Sequence, residues 1–223
     1  MNNTHLNTFR STDYISNLYV GLNANAWSQQ VLGNQYVVPI KLDRKMSRTE
    51  LFAFCQASDN NNFDTILAIL SWGGMNRKHG RVLLKNTNGL EGLVENLRAH
   101  KFKDREEAFF EFQKCRQEKL LPGLGIGYFT KLICFLQPVL KGYIMDQWVA
   151  KSVNLLYSDQ IVNITNNWVS DENNCKSYEH FCSCIDELSE DSNLSGLETE
   201  EKLFSIGGKK KGIWRTHVIE NYR

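Results

Sequence analysis

Proline is scarce in this chain, with three in 223 residues. No internal repeat or low-complexity tract breaks the pattern beyond the short run Asn60-Asn61-Asn62. Hydrophobic residues make up 42% and charged residues 23%, which excludes the compositional signature of disorder. No stretch approaches the roughly 18 consecutive apolar residues of a membrane span, and the start MNNTHLNTFRSTDY has no apolar signal core. These absences predict one cytoplasmic, monomeric, membrane-free unit over 1–223. A surplus of one charge is also missing, since the net charge is only +1. That average hides a partition. Residues 1–170 carry 19 Lys/Arg against 14 Asp/Glu, whereas 171–201 carry ten acids and only Lys176. The tail turns basic again at Lys209-Lys210-Lys211. A local basic surface is open to phosphate contact, and an ordinary solvated surface fits the charges equally well.

Six cysteines are present, and in a reducing compartment no disulfide framework is expected. Cys55, Cys115 and Cys134 lie in apolar helical patterns, where cysteine acts as a small hydrophobe. Cys175, Cys182 and Cys184 cluster late, but no fourth cysteine follows them. The set is read as non-liganding thiols, with no metal and no cofactor.

What is present is helical periodicity. Ser47 with Glu50 forms a capping box before Leu51, Phe52, Phe54 and Cys55. Asn62 or Asp64 opens a stripe of Phe63, Ile66, Leu67, Ile69 and Leu70, closed by a left-handed glycine cap at Trp72-Gly73-Gly74. Further helices are expected from Asn88 or Gly89 to His100, after Asp104, over 176–190 and over 197–206. Ser189–Gly196 reads as a linker and Tyr36–Leu42 as the one extended segment. The expected class is all-α.

Leu121-Pro122-Gly123-Leu124-Gly125-Ile126-Gly127 stands between two helical segments. Its alternate glycines make a tight turn whose backbone N–H groups meet the positive end of the following helix. Leu124 and Ile126 can pack inward and hold it. Such a turn can grip a DNA phosphate through Gly123, Leu124, Gly125, Ile126 and Gly127, or it can be a plain helix connection. Lys131 follows among Leu132, Ile133, Phe135 and Leu136. If desolvated it becomes a neutral amine, a nucleophile able to form Schiff bases; otherwise it reaches solvent from a helix edge. Asp146 ends the apolar run Tyr143–Met145 and starts a helix. There it caps N–H groups, and a carboxylate so placed can also stabilise an oxocarbenium-like transition state.

This arrangement resembles the helix-hairpin-helix DNA glycosylase superfamily: L-P-G-x-G at Leu121–Gly125, a lysine-bearing helix, then an apolar run ending in aspartate at Ile144-Met145-Asp146. GLGIGYFTKLICFL and YIMDQWVAKSV are closer still to bacterial proteins described as 8-oxoguanine glycosylase-like. Phe63–Gly74 is similar to that family as well. Lys131 stands two or four residues later than the superfamily lysine, and four is about one helical turn. The Lys131-to-Asp146 spacing is short, so the loop between them must be tight.

The resemblance implies two helical lobes around an active-site cleft. It spans 45–156, with the hairpin element at 118–136 and a second lobe from 1–44 and 157–223. It implies flipping of a damaged or modified base from double-stranded DNA, 8-oxoguanine above others. Lys131 would be nucleophile and abasic-site lyase, and Asp146 would stabilise the sugar cation. Trp72 and Trp148 are candidate base-pocket residues, or core. Asn76, Arg77, Lys78, His79 and Arg81 are a candidate backbone contact, or a solvated loop. A non-catalytic DNA-binding protein with the same hairpin, or a helical interaction module, are the competing functions.

Overall fold

The computed structural model describes residues 1–33 and 36–222. It is all-α apart from two short hairpins, with twelve α-helices among the described residues. The helices are α1 (Asn3–Ser11), α2 (Ala24–Leu32), α3 (Arg48–Gln56), α4 (Asn62–Trp72), α5 (Arg77–Leu83) and α6 (Asn88–Arg98). They continue as α7 (Arg105–Gln117), α8 (Ile126–Leu136), α9 (Gln147–Tyr157), α10 (Cys175–Ser192), α11 (Gly196–Phe204) and α12 (Ile213–Asn221). Antiparallel β1 (Ile164–Thr165) and β2 (Trp168–Val169) follow α9, and β3 (Ile206–Gly207) and β4 (Lys210–Lys211) follow α11.

Caps explain many of the boundaries. Ser47 and Glu50 make the reciprocal capping box on α3, and Asp104 accepts from Glu107 N–H at the start of α7. The cap of α4 is Asn61, one residue before Asn62 and three before Asp64, the two expected candidates. At its other end Gly74 has φ +68°, Met75 N–H bonds Leu70 O and Gly74 N–H bonds Ser71 O. That is a Schellman closure, which glycine enters without steric penalty. Gly73 stays right-handed.

α8 is buried on nearly every side, with Phe129, Leu132, Ile133, Cys134 and Phe135 fully enclosed. It packs on α3, α4, α6 and α7, as an all-round apolar helix must. Each of these Phe, Leu and Ile side chains contributes about 1.5–3 kcal/mol on burial. α2–α8 pack among themselves, as do α1 and α9–α12; α7 against α10 joins the groups, and one apolar core runs through both. The expected boundaries at 44 and 156 cut across these contacts. α2 packs on α4 and α5, and α9 packs on α10, α11 and α12.

Tyr36–Leu42 is not a strand. Val37 and Ile40 are exposed, Ile40–Leu42 forms a 3-10 turn, and Pro39 offers no N–H to a partner strand. Ser189–Gly196 is mostly helix, because α10 runs to Ser192 and leaves only 193–195 as a connection. The Asn76–Arg81 stretch is not a loop either. Asn76 caps α5, and Arg81 and Arg77 bond Gln30 on α2.

Candidate active site

The turn after α7 is shaped by one obligatory glycine. Gly123 has φ +82°, and a Cβ there would stand 3.0 Å from His79 O. Leu121, Leu124 and Ile126 are buried, so the turn is pinned from beneath. Gly125 is the N-cap of α8 and offers no side-chain cap. Its carbonyl accepts from Tyr128 and Phe129 N–H, leaving Ile126 and Gly127 N–H without intrahelical partners. Both residues line a cavity of about 630 Å³, together with Gly123, Leu124 and Gly125.

Lys131 lies one turn deeper and also lines this cavity. It is 8% exposed, and Nζ donates to Gly127 O at 2.7 Å. Gly73 makes room for it, since a Cβ at Gly73 would meet Lys131 Cδ at 2.9 Å. Burial lowers the Lys131 pKa below the ordinary lysine value; Asp146 and Glu200 oppose the shift, and Arg48 adds to it. Behind Lys131, Arg48 on α3 and Glu200 on α11 form a buried ion pair, with Arg48 also contacting Cys134 Sγ.

Asp146 is the N-cap of α9. Its Oδ1 accepts from Trp148 N–H at 2.8 Å and Val149 N–H at 3.1 Å. Oδ2 has no hydrogen-bond partner among the described residues, and Asp146 lines the cavity. Thr130 registers the two elements. Its hydroxyl donates to Ile126 O at 2.8 Å and accepts from Met145 N–H at 3.1 Å. The loop between them is as tight as the spacing requires. It holds a 3-10 turn at Pro138–Leu140, left-handed Lys141 and buried Tyr143–Met145. A Cβ at Gly127 would lie 3.7 Å from Asp146 Cα, so α8 and the start of α9 run closely together. Lys131 and Asp146 share one cavity without pairing directly, among the described residues.

The two tryptophans separate. Trp148 lines the cavity. Trp72 does not: it is 6% exposed, edge-on to Tyr19 and Phe135 at 5.1 Å each, and belongs to the core. Its place in the last turn of α4 aims the ring at α8, which corrects its reading as a pocket residue.

Tyr128, Trp168, Phe204 and Arg215 line the cavity without any expectation from sequence. Trp168 had a legible signal. Asn166-Asn167, both at positive φ, form the two-residue turn between β1 and β2. Arg215 had none, because its neighbours Trp148 and Phe204 are remote in sequence or in another element. Lys209–Lys211 sit exposed on the β3–β4 hairpin, beside Gly208 at the cavity.

With this geometry in hand, a family model described as "Putative 8-oxoguanine DNA glycosylase OGG-like protein" matches residues 14–204. The chain belongs to this OGG-like family. The match includes the Gly123–Gly127 turn, Lys131 and Asp146, and it stops before α12. No curated protein and no solved structure matches the chain. Membership of the OGG-like family makes DNA the expected substrate polymer and base excision the expected class of reaction. No helix among the described residues is long and apolar enough to cross a membrane.

Proposed function

We propose that this chain is an intracellular, monomeric DNA glycosylase that takes a modified base out of the duplex into the Lys131–Asp146 cavity and excises it, 8-oxoguanine being favoured by the family. The observation that carries the reading is the burial of an unpaired lysine in the same cavity as a helix-capping aspartate and the open N-terminus of α8. The amides of Ile126 and Gly127 hold a backbone phosphate, with no reading of sequence. Lys209–Lys211 add salt-sensitive attraction.

In the reaction, neutral Lys131 Nζ forms a bond to C1′ of the sugar. The glycosidic bond breaks and its electron pair leaves with the base. Asp146 lies where positive charge develops on the sugar and stabilises it. Loss of a proton from nitrogen and opening of the sugar ring give a Schiff base. Elimination of the 3′ phosphate from that species is the lyase step.

Borohydride reduction on lesion-bearing duplex tests this. A covalent adduct is expected with the wild type and with Lys151→Ala, and none with Lys131→Gln. No adduct and no abasic product across a panel of modified bases would leave a DNA-binding protein without excision.

A further inference from the structure

Part of the cavity wall comes from α12, beyond residue 204 where the family match ends. Trp214 anchors this helix. Its Nε1 donates to Ser152 Oγ at 2.9 Å, and that hydroxyl donates to Leu203 O at 3.0 Å. The next residue, Arg215, is thereby fixed at the cavity. It is 3% exposed, and Nε donates to Phe204 O at 2.9 Å. Its guanidinium carbon lies 5.0 Å from the Trp148 ring centroid and 4.4 Å from that of Phe204. Among the described residues no carboxylate pairs with it.

A guanidinium has five N–H donors. Among the described residues the only acceptor here is the Phe204 carbonyl, reached by Nε and Nη2. The remaining donors have no partner among the described residues, and Arg215 lines the cavity. An enclosed cation with unfilled donors calls for an acceptor from outside the protein. The aromatic faces matter equally. Trp and Phe rings attract cations, and here Arg215 lies over both rings and Lys151 Nζ lies 5.1 Å from the Trp148 centroid. A positively charged base, such as an N-alkylated purine, would meet a like charge and share these rings with cations already placed over them. A neutral base with carbonyl acceptors would meet open donors.

We propose that Arg215 is the specificity-determining residue of this cavity: held between Trp148 and Phe204, it donates to the acceptor edge of a neutral, carbonyl-bearing base and turns away bases that carry positive charge. This rests on the cavity being the base pocket. The same guanidinium stabilises the electron pair that the departing base takes from the glycosidic bond.

Two measurements separate this inference from the glycosylase reading. The first is binding of small bases by quenching of tryptophan fluorescence, with 9-methylguanine and its 8-oxo form set against the 7,9-dimethylguaninium cation. The wild type should favour the neutral bases by about ten-fold or more, and Arg215→Met should erase that ratio. Arg215→Lys, which keeps the charge with fewer donors, should retain rejection of the cation. Thermal unfolding reports whether each variant folds, and the wild-type ratio decides even if Arg215→Met does not. The second is excision from duplexes holding 8-oxoguanine or 7-methylguanine, normalised to borohydride trapping at an abasic site. Arg215→Met should lower normalised 8-oxoguanine excision about ten-fold and narrow its preference over 7-methylguanine. A wild-type binding ratio near one, or a preference indifferent to Arg215→Met in a folded protein, overturns the inference even where excision occurs. An Arg215-dependent preference for neutral bases without any excision supports the inference and refutes the glycosylase reading.

Discussion

Lys131 is an amine enclosed by a helix whose neighbouring positions are apolar. Its hydrogen bond to Gly127 O does not neutralise the charge, so burial disfavours the ammonium form. Two outcomes belong to this residue. Lys131→Met should abolish trapping and raise stability by about 1 kcal/mol, read from urea unfolding, because it removes an unpaired buried amine from the core. The trapping rate should also climb with pH through a midpoint below the ordinary 10.5, since only the neutral amine attacks. Asp146 supports the ammonium form, so Asp146→Asn should move the residual midpoint lower still. A midpoint at or above 10.5 in the wild type would remove the argument for a desolvated nucleophile.

At the scale of elements, the turn between α7 and α8 sets local stability against function. Gly123 carries positive φ and lies under His79, whereas a Cβ at Gly125 would meet nothing within 4 Å. Gly123→Ala should therefore cost more than about 1 kcal/mol. Gly125→Ser should instead stabilise α8 by roughly a few tenths of a kcal/mol, because a serine cap would accept from Gly127 N–H. The same bond removes a donor from the phosphate site. The expected signature is a higher melting temperature together with weaker duplex binding and a shallower dependence on salt. Unchanged duplex affinity in a stabilised Gly125→Ser protein would show that these amides do not meet DNA.

At the scale of the molecule, the two ends of the chain pack together. Asn2 N–H bonds Leu156 O, and His5 Nδ1 on α1 lies 3.0 Å from His217 Nε2 on α12. One shared proton completes that contact; a second sets two donors face to face. Burial lowers the His217 pKa, His5 lowers it further, and Glu220 opposes both. A histidine so depressed binds fewer protons folded than unfolded. Its contribution is thus complete above the unfolded value and lost as pH falls through the lower folded one. Stability should decline as pH falls below the ordinary histidine value of about 6.5, and His217→Gln should flatten that decline. Equal slopes in urea unfolding of the two proteins would exclude the pair as its source. Because Arg215 lies two residues before His217, loosening α12 should also open the cavity wall.

The sequence by itself determined the local features. The capping box at Ser47, the Asp104 and Asp146 caps, the glycine closure after Trp72 and the turn at Gly123 each depend on residues a few positions apart. Lys131 and Asp146 were legible as candidates for the same reason, helped by family likeness. Only the tertiary structure decided which rings face the cavity. Trp72 and Trp148 look alike in sequence, but packing against Phe135 draws one into the core, while the helix that Asp146 opens leaves the other at the cavity. Arg215 was not legible, because its meaning comes from Trp148, Phe204 and Ser152 meeting across α9, α11 and α12. Caps and turns are short-range electrostatics and sterics, whereas a pocket is assembled from long-range packing.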